Sequence, residues 1–412
     1  NLIAVGSVLN AVLGYSEIAV VRYLPDGTLD TSFAGDGLFN LSIGKHSDAA
    51  CAVAVQADGK VILGGVAYDK NDNGDFSLIR LTRDGTLDPT FNSQGWTLSN
   101  IGQVDVINKI VVLPDGKILV AGNSKDINFA SDVVVARYNV DGTLDTSFAN
   151  GGYIKLDLGS SYDQATGLAV NSVGNILVSG YLEGSYGQAS AVLIGLTANG
   201  QLDADFAVNG MAVVNVSGVR DTALDLVVLS NDAIVMAGSV NGDMALFHFT
   251  ANGSPDSRYG VSGVQTVDFS SGVDQGYALG VVDGSLLIAG TTVTAGNGDF
   301  AFAIEQSNHL PQGGVTISGS TSQYQTLTAS NNVTDSDGLV GSISYQWQAS
   351  GVDIAGANGS TLTLTQTHIG KTISVVASYT DRLGVSESVR SLSTAAVANV
   401  DDAATGSLTV TG

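Results

Sequence analysis

One cysteine in 412 residues, Cys51, excludes an intrachain disulfide. It lies in the apolar run Cys51-Ala52-Val53-Ala54-Val55 and is expected to be a buried small residue, not a reactive thiol. Positive charge is scarce too. Sixteen Lys and Arg against thirty-nine Asp and Glu leave a net charge of −23. That excludes a sequence-independent grip on nucleic acid, which needs clustered cations, and argues against docking on an anionic membrane. No apolar stretch approaches the roughly 20 residues of a spanning helix, so no direct membrane insertion is expected. The apolar start, Asn1 to Leu13, has no Met and no basic segment, and it matches an internal repeat instead of a signal peptide. Four histidines (His46, His248, His309, His368) are scattered, and no HExxH, CxxC, GxSxG or phosphate-cradling glycine loop occurs. The chain is therefore expected not to be an enzyme.

Glutamate is rare as well: four of the thirty-nine acids are Glu and the rest are Asp. Asp favours turns, caps and hard-cation sites, whereas Glu favours helices. With 44% hydrophobic residues the chain is no disordered acidic tail. Glycine is abundant, at 52, and short Val, Ile, Thr and Leu runs alternate with Asp-Gly and Asn-Gly pairs. This is an all-β pattern.

A repeat organises the first three quarters. The segment Asp26-Gly-Thr-Leu-Asp-Thr-Ser-Phe33 returns at Asp84–Phe91 and Asp141–Phe148, then more loosely at Asn199–Phe206 and Asn252–Tyr259. An apolar run ending in Gly shares the period: Leu2–Gly6, Val61–Gly65, Ile118–Gly122, Ile176–Gly180, Ile234–Gly238 and Leu286–Gly290. Each of the six units, about 57 residues long, reads as four short strands, a to d, which is the content of one propeller blade. The paired Asp-Gly-Thr-Leu-Asp-x-x-Phe and Asp-Gly-Lys-Ile-Leu-Val-Ala-Gly motifs resemble the delta-60 repeat of bacterial proteins. The run Gly167–Gly180 is similar to NHL-type propeller repeats. The resemblance implies a six-bladed β-propeller over residues 1–311 and no single activity. Unit one lacks strand a and unit six lacks strand d, so the chain is expected to be part of a longer polypeptide. Alternatively, Val315–Gly319 supplies the missing strand of unit six.

After Pro311 the period vanishes. Tyr345-Gln-Trp347, Leu362–Thr365 and Ile373–Tyr379 suggest an immunoglobulin-like β-sandwich over 312–399. Leu408–Gly412 repeats Val315–Gly319, so 400–412 reads as a linker and the first strand of a further copy. This resembles the tandem Ig-like repeats of large bacterial surface adhesins, including the RTX type. It implies a secreted, cell-surface setting, with the propeller as a ligand-binding head and the Ig-like array as a spacer.

Variable b–c loops on a rigid scaffold are the natural binding surface. They carry Tyr15, Tyr68, Phe129, Tyr181 and Tyr186, which either contact a glycan, peptide or surface-protein ligand or cover their own blade rims. Asp69-x-Asn71-x-Asn73-Gly74-Asp75 matches the first half of a calcium loop, with Arg80 where the pattern wants Glu; the alternative is an Asx turn. A recurring acid before strand a (Asp48, Asp105, Asp163, Asp221, Asp274) is expected to lock loop amides at the channel mouth. In the second domain Asp335, Asp337, Asn399, Asp401 and Asp402 resemble calcium-rigidified adhesin junctions, so calcium is the expected cofactor. The competing class is a propeller enzyme, a calcium-dependent lactonase or polysaccharide lyase, with His46 near Asp48 as its histidine.

Overall fold

A computed structural model describes residues 1–44, 46–184, 187–216, 218–269, 272–282, 285–294, 297–305, 310–335, 338–381 and 385–400. The chain divides into two compact units, Asn1–Glu305 and Gln306–Gly412.

The first unit is a β-propeller repeat domain made of antiparallel sheets in chain order. They are β1–β3 (Leu2–Asn10, Tyr15–Tyr23, Leu38–Leu41), β4–β7 (Asp48–Val55, Val61–Tyr68, Gly74–Leu81, Trp96–Ser99) and β8–β11 (Val104–Val112, Ile118–Lys125, Ser131–Tyr138, Tyr153–Leu156). Next come β12–β15 (Tyr162–Val170, Ile176–Glu183, Ala189–Leu196, Met211–Val214), β16–β19 (Asp221–Val228, Ile234–Val240, Asp243–Phe249, Val264–Val267) and β20–β22 (Val273–Val282, Ser285–Thr294, Asn297–Glu305). Among the described residues the first and last sheets have three strands, and single parallel pairs, Gly74–Val104 and Ser131–Tyr162, link the second, third and fourth into one twelve-stranded array. Apolar side chains are shared between consecutive sheets, as where Ile18, Phe33, Leu63 and Ile79 form one cluster. A repeat of this size cannot bury its face alone, so each sheet completes the core of the next.

Two glycine positions explain the repeat. Strand a carries a β-bulge in five sheets; in β4–β5 the pairing jumps from Ala50–Gly65 to Ala52–Gly64. The bulge drives a strand-a carbonyl at the glycine that ends the apolar run. A Cβ there would sit 1.9 Å from Ala49 O at Gly65, and 1.7 Å from Gln275 O at Gly290. The second position is the Asp-Gly turn. Gly85, Gly142, Gly200 and Gly253 have φ between +79° and +86°, and each faces the aromatic ring closing the previous unit's motif: Phe33, Phe91, Phe148 or Phe206. The chain beside that ring is fixed to the next turn, as in Ala34 N–H to Asp84 O (2.7 Å) and Asn92 N–H to Asp141 O (2.7 Å).

The bulge corrects the expectation for Cys51. It is the extra residue of its strand, paired with nothing, and it is exposed although the run around it is apolar.

The second unit is a pair of antiparallel sheets. Strands β23, β24 and β27 (Val315–Ser318, Thr326–Asn331, Thr361–Thr363) form one; β25, β26, β28 and β29 (Leu339–Ala349, Val352–Asp353, Ile373–Asp381, Ser386–Arg390) form the other. Trp347, fully buried, anchors the core between them and donates its indole N–H to Gly359 O at 2.9 Å. Because β23 pairs with β24, Val315–Ser318 is not the outer strand of the sixth sheet.

Candidate functional site

The loops joining strands b and c, and those joining one sheet to the next, hold most of the predicted side chains. Tyr15, first residue of β2, stacks on His46 with ring centroids 6.3 Å apart. His46 Nδ1 lies 3.0 Å from Asp72 Oδ1, and both side chains are at least half exposed. One aromatic, one imidazole and one carboxylate from three loops are thus gathered on the surface of the first two sheets. The other aromatics are not drawn into this group by any observed contact. Tyr68 lies against its own hairpin, where a Cβ on Gly74 would meet its ring at 3.0 Å. Burial raises its phenol pKa. Phe129 sits at a turn tip with φ +64° and is 63% exposed. Tyr181 lies beneath the Arg220 guanidinium, 5.9 Å from the ring centre, while Arg220 also pairs with Glu183 at 3.1 Å. Tyr186 is outside the described residues, as are Asp337, Asp401 and Asp402.

The Asp69–Asp75 segment folds as a hydrogen-bonded turn around Asp69. Its Oδ1 accepts the amides of Asn71 (2.7 Å) and Asn73 (3.0 Å), and its Oδ2 accepts both side-chain amides. These bonds hold its carboxyl below the usual range, led by those from the Asn73 and Asn71 amides. Asp75 accepts from Asn100 at 2.8 Å. The Asn side chains therefore turn donors, not oxygens, toward Asp69.

The five acids before strand a are almost wholly buried and bind the loop that precedes them. Asp48 takes the amides of Ile43, Gly44 and Tyr68; Asp105 those of Ile101 and Gly102; Asp163 that of Leu158. Burial raises the pKa of Asp48 and Asp163 in spite of these bonds.

Three features were missed from sequence. Arg22, Arg80 and Arg137 each pair through Nε with the second Asp of the repeat motif (Asp30, Asp88, Asp145) at 2.7–2.8 Å. Each also lies over the motif Phe, 4.5–4.7 Å from its centre, and donates to a carbonyl of the next unit. The signal was a fixed separation of eight residues between Arg and Asp. Second, Lys109 reaches Asp225, two sheets on, at 2.8 Å; nothing local announces that pair. Third, acids converge in threes: Asp132, Asp157 and Asp163; Asp243, Asp268 and Asp274; Asp335, Asp381 and Glu387. In each group one oxygen per residue lies within 4.8 Å of the others, so these clusters could hold a metal ion. In the last group the Tyr379 hydroxyl bonds to Asp335 and Glu387. Burial and these two acceptors push its phenol well above the usual value.

The family described as "Domain of unknown function (DUF5122) beta-propeller" matches residues 1–33, 56–91 and 113–148. These stretches run from just before strand b to the motif Phe of the first three sheets. No curated protein matches the sequence. Similar solved structures include a protein of unknown function from Dyadobacter fermentans DSM 18053, at 11% identity over 70% of this chain and 83% of that one (TM-score 0.43). Another is an oxidoreductase described as a glucose dehydrogenase, from Thermus thermophilus, at 16% identity over 74% of this chain and 100% of that one (TM-score 0.39). A third is an ulvan lyase, at 11% identity over 81% of this chain and 89% of that one (TM-score 0.40). The expectation that the chain is not an enzyme rested on missing motifs and is withdrawn; the similar structures include proteins described as glucose dehydrogenases and an ulvan lyase. A short list of missing motifs excludes particular chemistries and leaves propeller catalysis open, since its acids and histidines come from separate loops.

Proposed function

We propose that the first unit closes as a six-bladed propeller and serves as the carbohydrate-binding head of a secreted bacterial cell-surface adhesin, with the second unit an Ig-like spacer. The observation that carries this reading is the Tyr15–His46–Asp72 group, in which a half-buried tyrosine ring lies against an exposed imidazole paired with an exposed carboxylate. The recurring Arg, Asp and Phe of the first three sheets are consumed in joining one unit to the next. These three side chains stand outside that repeated joint, and they offer a ring beside hydrogen-bonding groups of both kinds, the equipment that holds a sugar. The exposed Phe129 extends the aromatic surface of the loop set. Six successive sheets and the strand-a bulge support the blade count; two facing sheets around Trp347 support the Ig-like spacer. Calcium is the ion these oxygen-only acid clusters favour. A glycan array in calcium buffer tests the reading: binding is expected, with a loss of tenfold or more in Tyr15→Ala. Retention only by protein ligands, or binding indifferent to Tyr15→Ala, overturns it.

A second reading draws on the same geometry. A histidine held 3.0 Å from a carboxylate, beside a phenol-bearing ring, is proton-transfer equipment of the kind a polysaccharide lyase or lactonase needs. Turnover of an acidic polysaccharide or a lactone, abolished by His46→Ala, would select it.

A further inference from the structure

The fifth sheet holds a constellation that its neighbours do not reproduce. Asp243 opens β18, Asp268 lies in the loop after β19, and Asp274 is the second residue of β20. One oxygen from each lies within 4.8 Å of the other two. Asp274 is fully buried; its Oδ2 accepts the Phe269 amide at 2.8 Å, but its Oδ1 is buried with no hydrogen-bond partner. A buried carboxylate oxygen left unmatched is costly unless something of opposite charge reaches it.

The repeat supplies internal controls. In the second and fourth sheets the middle position is Asn, not Asp. Asn100 donates to Asp75 at 2.8 Å and Asn215 donates to Ser190 at 3.0 Å, so a neutral amide replaces one charge. Asp105 there also has an unpartnered oxygen, but in a group of two acids and an amide, not in a cluster of three acids. The third sheet keeps three acids, Asp132, Asp157 and Asp163, and answers them with Lys155, whose Nζ is 3.1 Å from Asp132. Asp163 Oδ1 accepts the Ser160 hydroxyl. Each of these acids lies 111 residues before its counterpart in the fifth sheet, and so does Lys155, whose counterpart is Thr266. Lys155 pairs with Val134, and Thr266 with Ala245, at the same register. The fifth sheet thus keeps the acids and drops the lysine. Asp243 also has its pKa raised, first by burial and then by Asp268 and Asp274.

We propose that Asp243, Asp268 and Asp274 bind a divalent, oxygen-preferring cation, calcium before magnesium, at the junction of the fifth and sixth sheets. The cation takes the place that Lys155 fills two sheets earlier. Calcium suits a site with one buried and two more accessible carboxylates because it tolerates irregular geometry and completes its shell with water, whereas magnesium demands a near-ideal octahedron. The site is independent of whichever ligand the loop face binds.

Calorimetric titration of the full chain with calcium chloride and with magnesium chloride tests it, on the wild type, Asp268→Asn and Thr266→Lys. Asp268→Asn installs the amide of Asn100 and Asn215, and Thr266→Lys installs the lysine of the third sheet with all three acids kept. Each variant is expected to bind one calcium fewer than the wild type and to melt at a higher temperature without calcium. Calcium uptake unchanged in Asp268→Asn, no uptake by the wild type, or equal uptake of magnesium overturns the proposal.

Discussion

The first three sheets and the two that follow solve one mechanical problem in different ways. In the first five repeats an aromatic ring closes the motif, and in the first four that ring lies against the turn glycine of the next sheet. Sheets one to three hold it with an arginine that stacks on the ring, pairs with the motif Asp and donates to the following unit. At the arginine position the fourth sheet has Gly195, where a Cβ would lie 2.4 Å from the Phe206 ring, so the ring itself fills the space. The fifth has His248, stacked on Tyr259 at 4.0 Å and facing Glu305 of the sixth sheet at 3.3 Å. The recognisable family signature also ends with the third sheet. The comparison teaches that the element shared between the two halves is the ring-on-glycine contact, and that the ionic clamp above it is one of several supports.

The largest expected effect comes from removing a clamp. Arg80 and Asp88 side chains are each 4% exposed, so Arg80→Met leaves a buried acid with the Thr90 bonds and Lys60 as its one remaining cation. Breaking such a pair costs about 3–5 kcal/mol, read as a fall in urea midpoint. The reverse exchange should fail. Gly195→Arg does not recreate the clamp although Asp203 and Phe206 are present, because the ring already occupies the site; a further loss of about 1–3 kcal/mol is expected from overpacking. A stabilised Gly195→Arg protein would mean that the ring moves freely and that the two halves differ only in composition.

The ring-on-glycine contact is isolated by two glycines of equal backbone conformation. Gly142 has φ +86° and Gly174 has φ +88°, but a Cβ on Gly142 would meet the Phe91 ring at 2.8 Å, whereas the nearest atom to one on Gly174 is 3.8 Å away. Gly174→Ala should cost about 1 kcal/mol, for backbone strain alone. Gly142→Ala should cost about 3 kcal/mol, since strain and overpacking add. Equal thermal shifts in the two variants would remove the ring contact from the explanation of the period.

Much of this was legible in the sequence and some was not, for physical reasons. Strands, turns and the motif Phe declare themselves because the same φ and the same wedge recur every repeat. Arg80 did not, because its partner is eight residues away across a turn and half the repeats lack it. The exposure of Cys51 was hidden because all its neighbours in the run are apolar, and nothing in that run marks the bulge that leaves it unpaired. The Asp132 and Asp243 triads were invisible because each draws on two neighbouring sheets, so no local spacing brings Asp243 to Asp274. The group of Tyr15, His46 and Asp72 was partly seen: Tyr15 and His46 were each singled out, for different roles, but their meeting with Asp72 depends on separate loops coming together.

The smallest effect expected is a change in how stability follows pH. Burial alone would raise the Asp88 carboxyl, but bonds from Thr90 and Lys60 and the Arg80 charge overcome it, and the folded pKa falls well below the ordinary value. Asp145 is lowered in the same way, through Lys117, Ser147 and Arg137. An acid whose folded pKa is depressed contributes stability that is fully present above its unfolded value, about 4, and is lost as pH falls toward the folded value. Asp48 and Asp163, raised by burial, act in the opposite sense and gain on protonation. Acid destabilisation below pH 4 should therefore come from the clamped half of the molecule. Asp88→Asn should lower stability by about 2 kcal/mol at pH 7 and by less near pH 2, where the unfolded chain's carboxyl is already protonated and much of the ionised form's contribution is gone. Urea midpoints of both proteins at the two pH values check this. A gap that stays constant would assign the loss to the geometry of the amide, and the acid slope would then belong to acids outside the clamps.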